Sequence, residues 1–139
     1  MMRELLSIIV YLVPEPWKNP LYSGKSKHFY RVKSTTQFQA ALREAWRIKY
    51  GGRAPIRGPV RIELLCIMPR PKYMMWKKKP TPRAPHIIRP DTDNLTKNVK
   101  DALKQVAWAD DCLVYDEHTR KFIASGGEAP HIILKVWED

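Results

Sequence analysis

The stretch from Pro69 to Pro90 holds six of the chain's twelve prolines, and no element that needs a continuous backbone ladder passes through such a run. Proline has no amide hydrogen, and its ring clashes with the preceding turn, so these 22 residues are excluded from a helix and from the interior of a sheet. They carry seven basic side chains, Arg70, Lys72, Lys77, Lys78, Lys79, Arg83 and Arg89, and no acid. A loop of this length inside a compact domain is usually functional or disordered. Tyr73 and Trp76 beside the lysine run set stacking surfaces among cations, a combination suited to unpaired or distorted nucleic acid; a mobile, solvated loop is the plain alternative.

The segments on either side have regular patterns. Leu5 to Val13 is apolar and β-branched and stops at Pro14 and Pro16, which predicts a strand. It falls far short of the roughly 20 residues a bilayer span needs. Pro14-Glu15-Pro16-Trp17 also stands where small residues would mark a signal-peptide cleavage site. Ser34-Thr35-Thr36-Gln37 fits a capping box with Ser34 as N-cap. Phe38, Ala41, Leu42, Ala45 and Trp46 then recur at helical spacing, predicting a helix over 35–49 that Gly51-Gly52 ends. Val60 to Met68 reads as a second, central strand.

Beyond the proline-rich loop, Leu95, Val99, Ala102, Leu103 and Val106 form the buried stripe of a helix over 94–105. Trp108-Ala109-Asp110-Asp111 reads as a turn, 112–122 as a third strand, Gly126-Gly127 as a hairpin-type turn and 131–137 as the last strand. The expectation is one α+β domain over 1–139, ordered β-loop-α-β-loop-α-β-β, with two main helices on one small mixed sheet.

Charge narrows the function. The 139 residues carry 25 Lys and Arg against 14 Asp and Glu, a formal charge of +11, and the excess is unevenly placed. Residues 1–90 hold 19 basic and 4 acidic groups, whereas 91–139 hold 6 and 10. Clustered cations gain free energy by displacing counterions from phosphates, so the basic part points to a polyanion, with a solvated basic surface as the plain alternative. A basic body joined to a carboxylate-bearing segment is the arrangement a metal-dependent nuclease requires. Cys66 and Cys112 are isolated, which argues against a zinc finger and for reduced cytosolic thiols. The chain has no internal repeat, Walker-type loop, G-x-G-x-x-G or G-x-S-x-G.

The candidate chemistry lies in Asp91-Thr92-Asp93-Asn94, Lys97, Asp101 and Asp110-Asp111. One aspartate at the loop-to-helix junction is explained by N-capping; two are explained less well, and the later pair is not explained at all. The 94–105 helix is about 18 Å long, and an antiparallel return through the next strand could bring Asp111 to Asp91 and Asp93. Oxygen-only ligands of this kind suit Mg²⁺ or Mn²⁺. Lys97, four residues after Asp93, is either an ordinary i,i+4 ion-pair partner or a clamp on the scissile phosphate. Asp101 is expected to orient Lys97 or Lys100. His118, on the third strand, is expected to face solvent.

The run Arg89-Pro90-Asp91-Thr92-Asp93-Asn94-Leu95, followed by Lys97, Asp101-Ala102-Leu103 and Trp108-Ala109-Asp110-Asp111, resembles the RusA family of Holliday-junction resolvases of bacteria and their phages. The resemblance is specific over about 89–122 and weaker at Pro16-x-x-Asn19-x-x-Tyr22. It implies that Asp91, Asp93 and Asp111 bind Mg²⁺, with Mn²⁺ as a substitute, and that Lys97 is the family's essential lysine. It further implies a cytoplasmic homodimer that nicks opposed strands of a four-way junction in DNA recombination and repair. Asp110, Asp101 and Asn94 are then expected around the metal site, and Arg70, Lys72, Trp76, Lys77, Lys78, Lys79, Arg83, Arg89 and Lys100 against DNA. Two features depart from the family pattern: the long Pro/Lys insertion, and Lys104-Gln105 where Asn-Gly is frequent. The competing readings are a non-enzymatic basic DNA-binding protein, and a nuclease for other branched DNA such as flaps or forks.

Overall fold

The structure, a computed structural model, describes residues 4–74 and 81–139. Trp76, Lys77, Lys78 and Lys79 therefore lie outside the described residues. Among the described residues seven strands and two α-helices follow in the order β1 (Glu4–Val10), β2 (Leu21–Ser23), β3 (His28–Tyr30), α1 (Lys33–Tyr50), β4 (Val60–Met68), β5 (Ala84–Pro85), α2 (Thr92–Leu103), β6 (Val114–Ile123) and β7 (His131–Glu138). The expected α+β class and mixed sheet are present. Two elements escape the sequence pattern: the β2–β3 hairpin in the loop after β1, and β5, which pairs two residues with the edge of β6. A proline is tolerated in β5 because only one side of that strand must hydrogen-bond.

The five-stranded sheet has the order β1-β7-β4-β6-β5. β4 is central, as its apolar run requires, and pairs parallel with β6 and antiparallel with β7. This corrects the hairpin expectation for Gly126-Gly127. The chain leaving β6 passes to the other side of β4, so β6 and β7 are separated by the most buried strand and are not neighbours. Gly127 has φ of 81°, a conformation that costs glycine little.

α1 starts before the expected capping box. Val32, in extended conformation, takes the N-cap position without a side-chain cap bond, and Ser34 lies inside the first turn, accepting a 3.3 Å bond from Lys18 Nζ. Docking outweighs capping at this end, since Phe38, Leu42 and Trp46 recur every four residues and all are buried. α2 begins and ends two residues before the spacing suggests. Lys104 leaves helical geometry with ψ of 131°, and Gln105 follows with positive φ, its amide donating to Trp108 O at 2.7 Å.

Both helices cover one face of the sheet. Phe38, Leu42 and Trp46 of α1 and Leu95, Val99 and Leu103 of α2 pack on Leu6, Ile8, Ile62, Leu64, Leu134 and Val136. Trp108, expected in a turn, is fully buried in this core. Ile56 clamps its neighbours, donating to Ala107 O at 2.9 Å and accepting from Ala109 N at 2.8 Å. The opposite face carries Leu5, Ile9, Leu65 and Ile133 with no helix over them, and Leu5 and Ile9 are about half exposed. Among the described residues no helix is long and apolar enough to cross a membrane.

Candidate functional site

The site is built on α2 and on the strand that returns beside it. α2 turns its apolar stripe to the core, which leaves Asp93, Lys97 and Lys100 along its flank. β6 runs back antiparallel to it. Glu117 receives Lys100 Nζ at 3.1 Å, Thr119 hydrogen-bonds Thr96, and Lys121 Nζ donates to Pro90 O at 2.7 Å, just before the start of the helix. Between the two elements lies an open cleft of about 310 Å³ bounded by Asp93, Lys97, Lys100, Asp111, Glu117 and Trp17.

Asp91 occupies the N-cap position of α2 but makes no side-chain cap bond, so capping does not account for it. It faces an adjoining cleft with Arg89, Pro90, Asn94 and Trp17. Asp111 stands at the other end of the system. Its Oδ1 accepts a 2.9 Å bond from the indole Nε1 of Trp108, and Asp110 stays beside it by accepting from Cys112 N at 3.5 Å. Lys104, one residue past α2, lies 4.0 Å from Asp110, which puts the Asp110-Asp111 pair near the helix C-terminus.

The expected convergence of three aspartates is therefore incomplete in this structure. Among the described residues no three Asp, Glu, His or Cys side chains come close enough to share one ion. The reason lies in the direction of β6. Its return carries Glu117, Thr119 and Lys121 toward the start of α2 and leaves Asp111 at the strand's own beginning. Asp93 and Asp111 share a cleft, and Asp91 lines the adjoining one, with Trp17 in the wall of both. Oxygen-only carboxylates nonetheless fit Mg²⁺, which is commonly held by one or two carboxylates and completed by water and substrate phosphate rather than by a protein cage.

Lys97 is held by a contact that spacing alone does not reveal. Its Nζ lies 3.6 Å from the centroid of the Trp17 ring, and Trp17 is fixed to the helix by its own amide, which donates to Asn94 O at 2.9 Å. Trp17 thus stands in the wall of both clefts. A polar network behind it ties this loop to both helices. Asn98, fully buried, donates to Glu15 O and accepts from Gln39 Nε2, while Gln39 also donates to Asp101 Oδ2 at 2.8 Å.

Asp101 is thereby corrected: it receives Gln39 and Arg31, the latter at 2.6 Å, in place of Lys97 or Lys100. Partial burial pushes its carboxyl upward, but the bonds from Arg31 and Gln39 outweigh burial and hold it below the usual range. The basic residues expected against DNA divide. Arg70 directs its guanidinium at Ala124 O, Met74 O and Pro82 O, and Arg83 pairs with Glu128 at 2.5 Å. Lys72 and Arg89 are exposed, and Lys100 lines the cleft. His118 is exposed and 3.3 Å from Asp116, as a solvent-facing strand residue should be.

A model of the endodeoxyribonuclease RusA family matches residues 12–136. The chain belongs to the RusA family. A Bacillus subtilis (strain 168) protein named uncharacterized protein YqaN is 33% identical over 88 residues, so the chain spans 60% of that curated relative's length, and the match covers 60% of the chain. The match extends over both clefts and includes Trp108, already part of the motif, as well as Trp17 and Glu117, which are not among the expected site residues. Glu117 has a signal in retrospect, since it shares a strand face with Thr119 and Lys121, the residues that meet α2. Trp17 has none, because its partner is 80 residues away and the contact arises only on folding.

Proposed function

We propose that this RusA-family protein is a Mg²⁺-dependent endodeoxyribonuclease that cuts four-way DNA junctions by paired nicks in recombination and repair. The observation that carries the reading is the cleft that Asp93, Lys97 and Asp111 line together, with Asp91, which makes no cap bond, in the adjoining cleft. Asp93 and Asp111, which line one cleft, are the carboxylates that would hold the metal, with Mn²⁺ as a substitute and Asp91 in the adjoining cleft as the third of the expected set. When bound, Mg²⁺ supplies charge neutralisation at the phosphate and lowers the pKa of a water that serves as nucleophile.

The chain's own groups supply the rest. Lys97, restrained against Trp17, is positioned to pair with a non-bridging phosphate oxygen as charge builds on it. Trp108 keeps the Asp111 carboxylate from rotating away from the cleft. Lys100 adds a cation beside Glu117, and exposed Lys72 and Arg89 draw in the polyanion. A homodimer suits paired nicking, and the uncovered sheet face supports one. Its row Ile9, Ile133 and Leu65 is apolar, while the adjoining row pairs Lys135 with Glu63, so a second copy meets both apolar surface and complementary charge.

The test is cleavage of a synthetic four-way junction with Mg²⁺ or Mn²⁺, with excess duplex as competitor at a stated salt concentration. The expected result is paired nicks that EDTA abolishes and that an Asp93→Asn variant reduces by roughly two orders of magnitude or more. Junction binding with no divalent-dependent cleavage would favour the non-enzymatic reading. Equal cutting of flaps or forks would assign the nuclease to branched DNA in general.

A further inference from the structure

An apolar groove of about 480 Å³ opens beside the Asp91 cleft, walled by Pro14, Tyr73, Met74 and Ile88 and sharing Pro16, Arg89 and Pro90 with that cleft. Its size lies within the range of ligand sites. Its outer wall is not collapsed onto the core: Tyr73 is 85% exposed and Ile88 65% exposed. The wall is nevertheless braced. Arg70 bonds three carbonyls across the segment, and Lys121 Nζ donates to Ile88 O and Pro90 O at 2.5 and 2.7 Å. A groove braced by the half-buried cations Arg70 and Lys121 and floored with Met68 and Ile123 is a formed surface.

We propose that this groove is a subsite for one unpaired nucleobase of the bound DNA strand, a neighbour of the nucleotide whose phosphate meets Lys97. Three observations select a base over other apolar occupants. The groove shares Pro16, Arg89 and Pro90 with the Asp91 cleft, which in turn shares Trp17 with the Lys97 cleft, so a strand whose phosphate meets Lys97 brings a neighbouring base to this wall. Arg89 at the groove and exposed Lys72 next to Tyr73 outnumber Glu15, the acid that lines it, which favours an occupant attached to phosphate over an acid-poor peptide. Tyr73 offers an exposed ring for stacking, and Glu15 and Arg89 at the groove supply an acceptor and donors for the polar edge of a base. The assignment rests on the nuclease reading only for which nucleotide is bound; occupancy of the groove is measurable without cleavage.

The experiment places a single 4-thiothymidine at successive positions around the branch of a synthetic four-way junction. The full-length protein is photo-crosslinked without divalent cation, and the crosslinked peptide is mapped. The expected result is a crosslink confined to one or two positions near the branch and attached to Tyr73, Met74 or Ile88. Tyr73→Ala, checked for folding by circular dichroism, should abolish it and weaken junction binding about tenfold, whereas Tyr73→Phe should preserve both. Crosslinks that map elsewhere, or a Tyr73→Ala protein that crosslinks as wild type does, overturn the inference. A protein that crosslinks in the groove but never cuts DNA leaves the subsite standing and removes the nuclease reading. One that cuts without a groove crosslink does the reverse.

Discussion

The ammonium nitrogen of Lys97 sits 3.6 Å from the centroid of the Trp17 ring, joining the loop after β1 to the exposed flank of α2. Lysine side chains are long and costly to order, and a cation over an indole is worth about 0.5–1 kcal/mol at an exposed site. Trp17→Ala should therefore lower the turnover of junction cleavage about two- to fivefold with a smaller change in DNA affinity, and Trp17→Phe should restore most of the loss. Separate measurement of kcat and KM checks this; a loss confined to KM would assign Trp17 to DNA binding alone.

Trp108 donates its indole hydrogen to Asp111 from a fully buried position. Trp108→Phe keeps most of the apolar volume and removes the donor. A hydrogen bond to a charged group contributes about 1.5–3 kcal/mol, and the freed carboxylate regains water, so a stability loss of about 1–2 kcal/mol in urea unfolding is expected. Cleavage should fall further than stability requires, because Asp111 is then free to rotate. Equal activity per folded molecule would show that its orientation does not matter.

Acid sensitivity follows from two carboxylates. Asp101 is held below its ordinary range because bonds from Arg31 and Gln39 outweigh the upward push of burial, and Glu128 is brought down to about 2, chiefly by Arg83. A carboxyl lowered on folding stabilises the protein above its unfolded pKa, and that stability is lost as pH falls through the folded pKa. Stability should therefore decline from about pH 4.5 toward pH 2. Asp101→Asn and Glu128→Gln should each flatten that decline in urea titrations, and Glu128→Gln by little, since its partner Arg83 is exposed and solvent screens the pair.

The two thiols should respond oppositely to reagents. Burial pushes the Cys66 thiol up to about 12, whereas Cys112 is exposed. A thiol-reactive dye at pH 8 should label one cysteine per native chain and two after unfolding. Because Cys112 follows Asp111 directly, a bulky adduct there should depress cleavage, and Cys112→Ser should abolish that sensitivity.

Much of the architecture was legible because it depends on local repetition. The four-residue recurrence of Phe38, Leu42 and Trp46 located α1, and the apolar run Val60–Met68 located the central strand. The start of α1 was misjudged because Ser34 offered a cap that the docked helix did not need. Gly126-Gly127 suggested a hairpin because turn chemistry is local, whereas the pairing of β4 with both β6 and β7 is not. The charged segments were legible as classes of side chain, and their individual partners were not: Arg70 and Arg83 look as available as Lys72 in sequence, yet they close on carbonyls and on Glu128.

By itself the sequence determined which residues form the helices and the central strand, and that an Asp-x-Asp pair opens α2 with a lysine one turn later. These follow from periodicity and from chain neighbours fixed by covalent spacing. Only the tertiary structure decided that Lys97 lies on Trp17, that Trp108 orients Asp111, and that β6 returns Glu117 and Lys121 to the start of α2 while leaving Asp111 at its far end. Those relationships join residues distant in sequence or depend on the direction in which a strand packs, and no local pattern encodes a direction that is set by pairing both edges of β4.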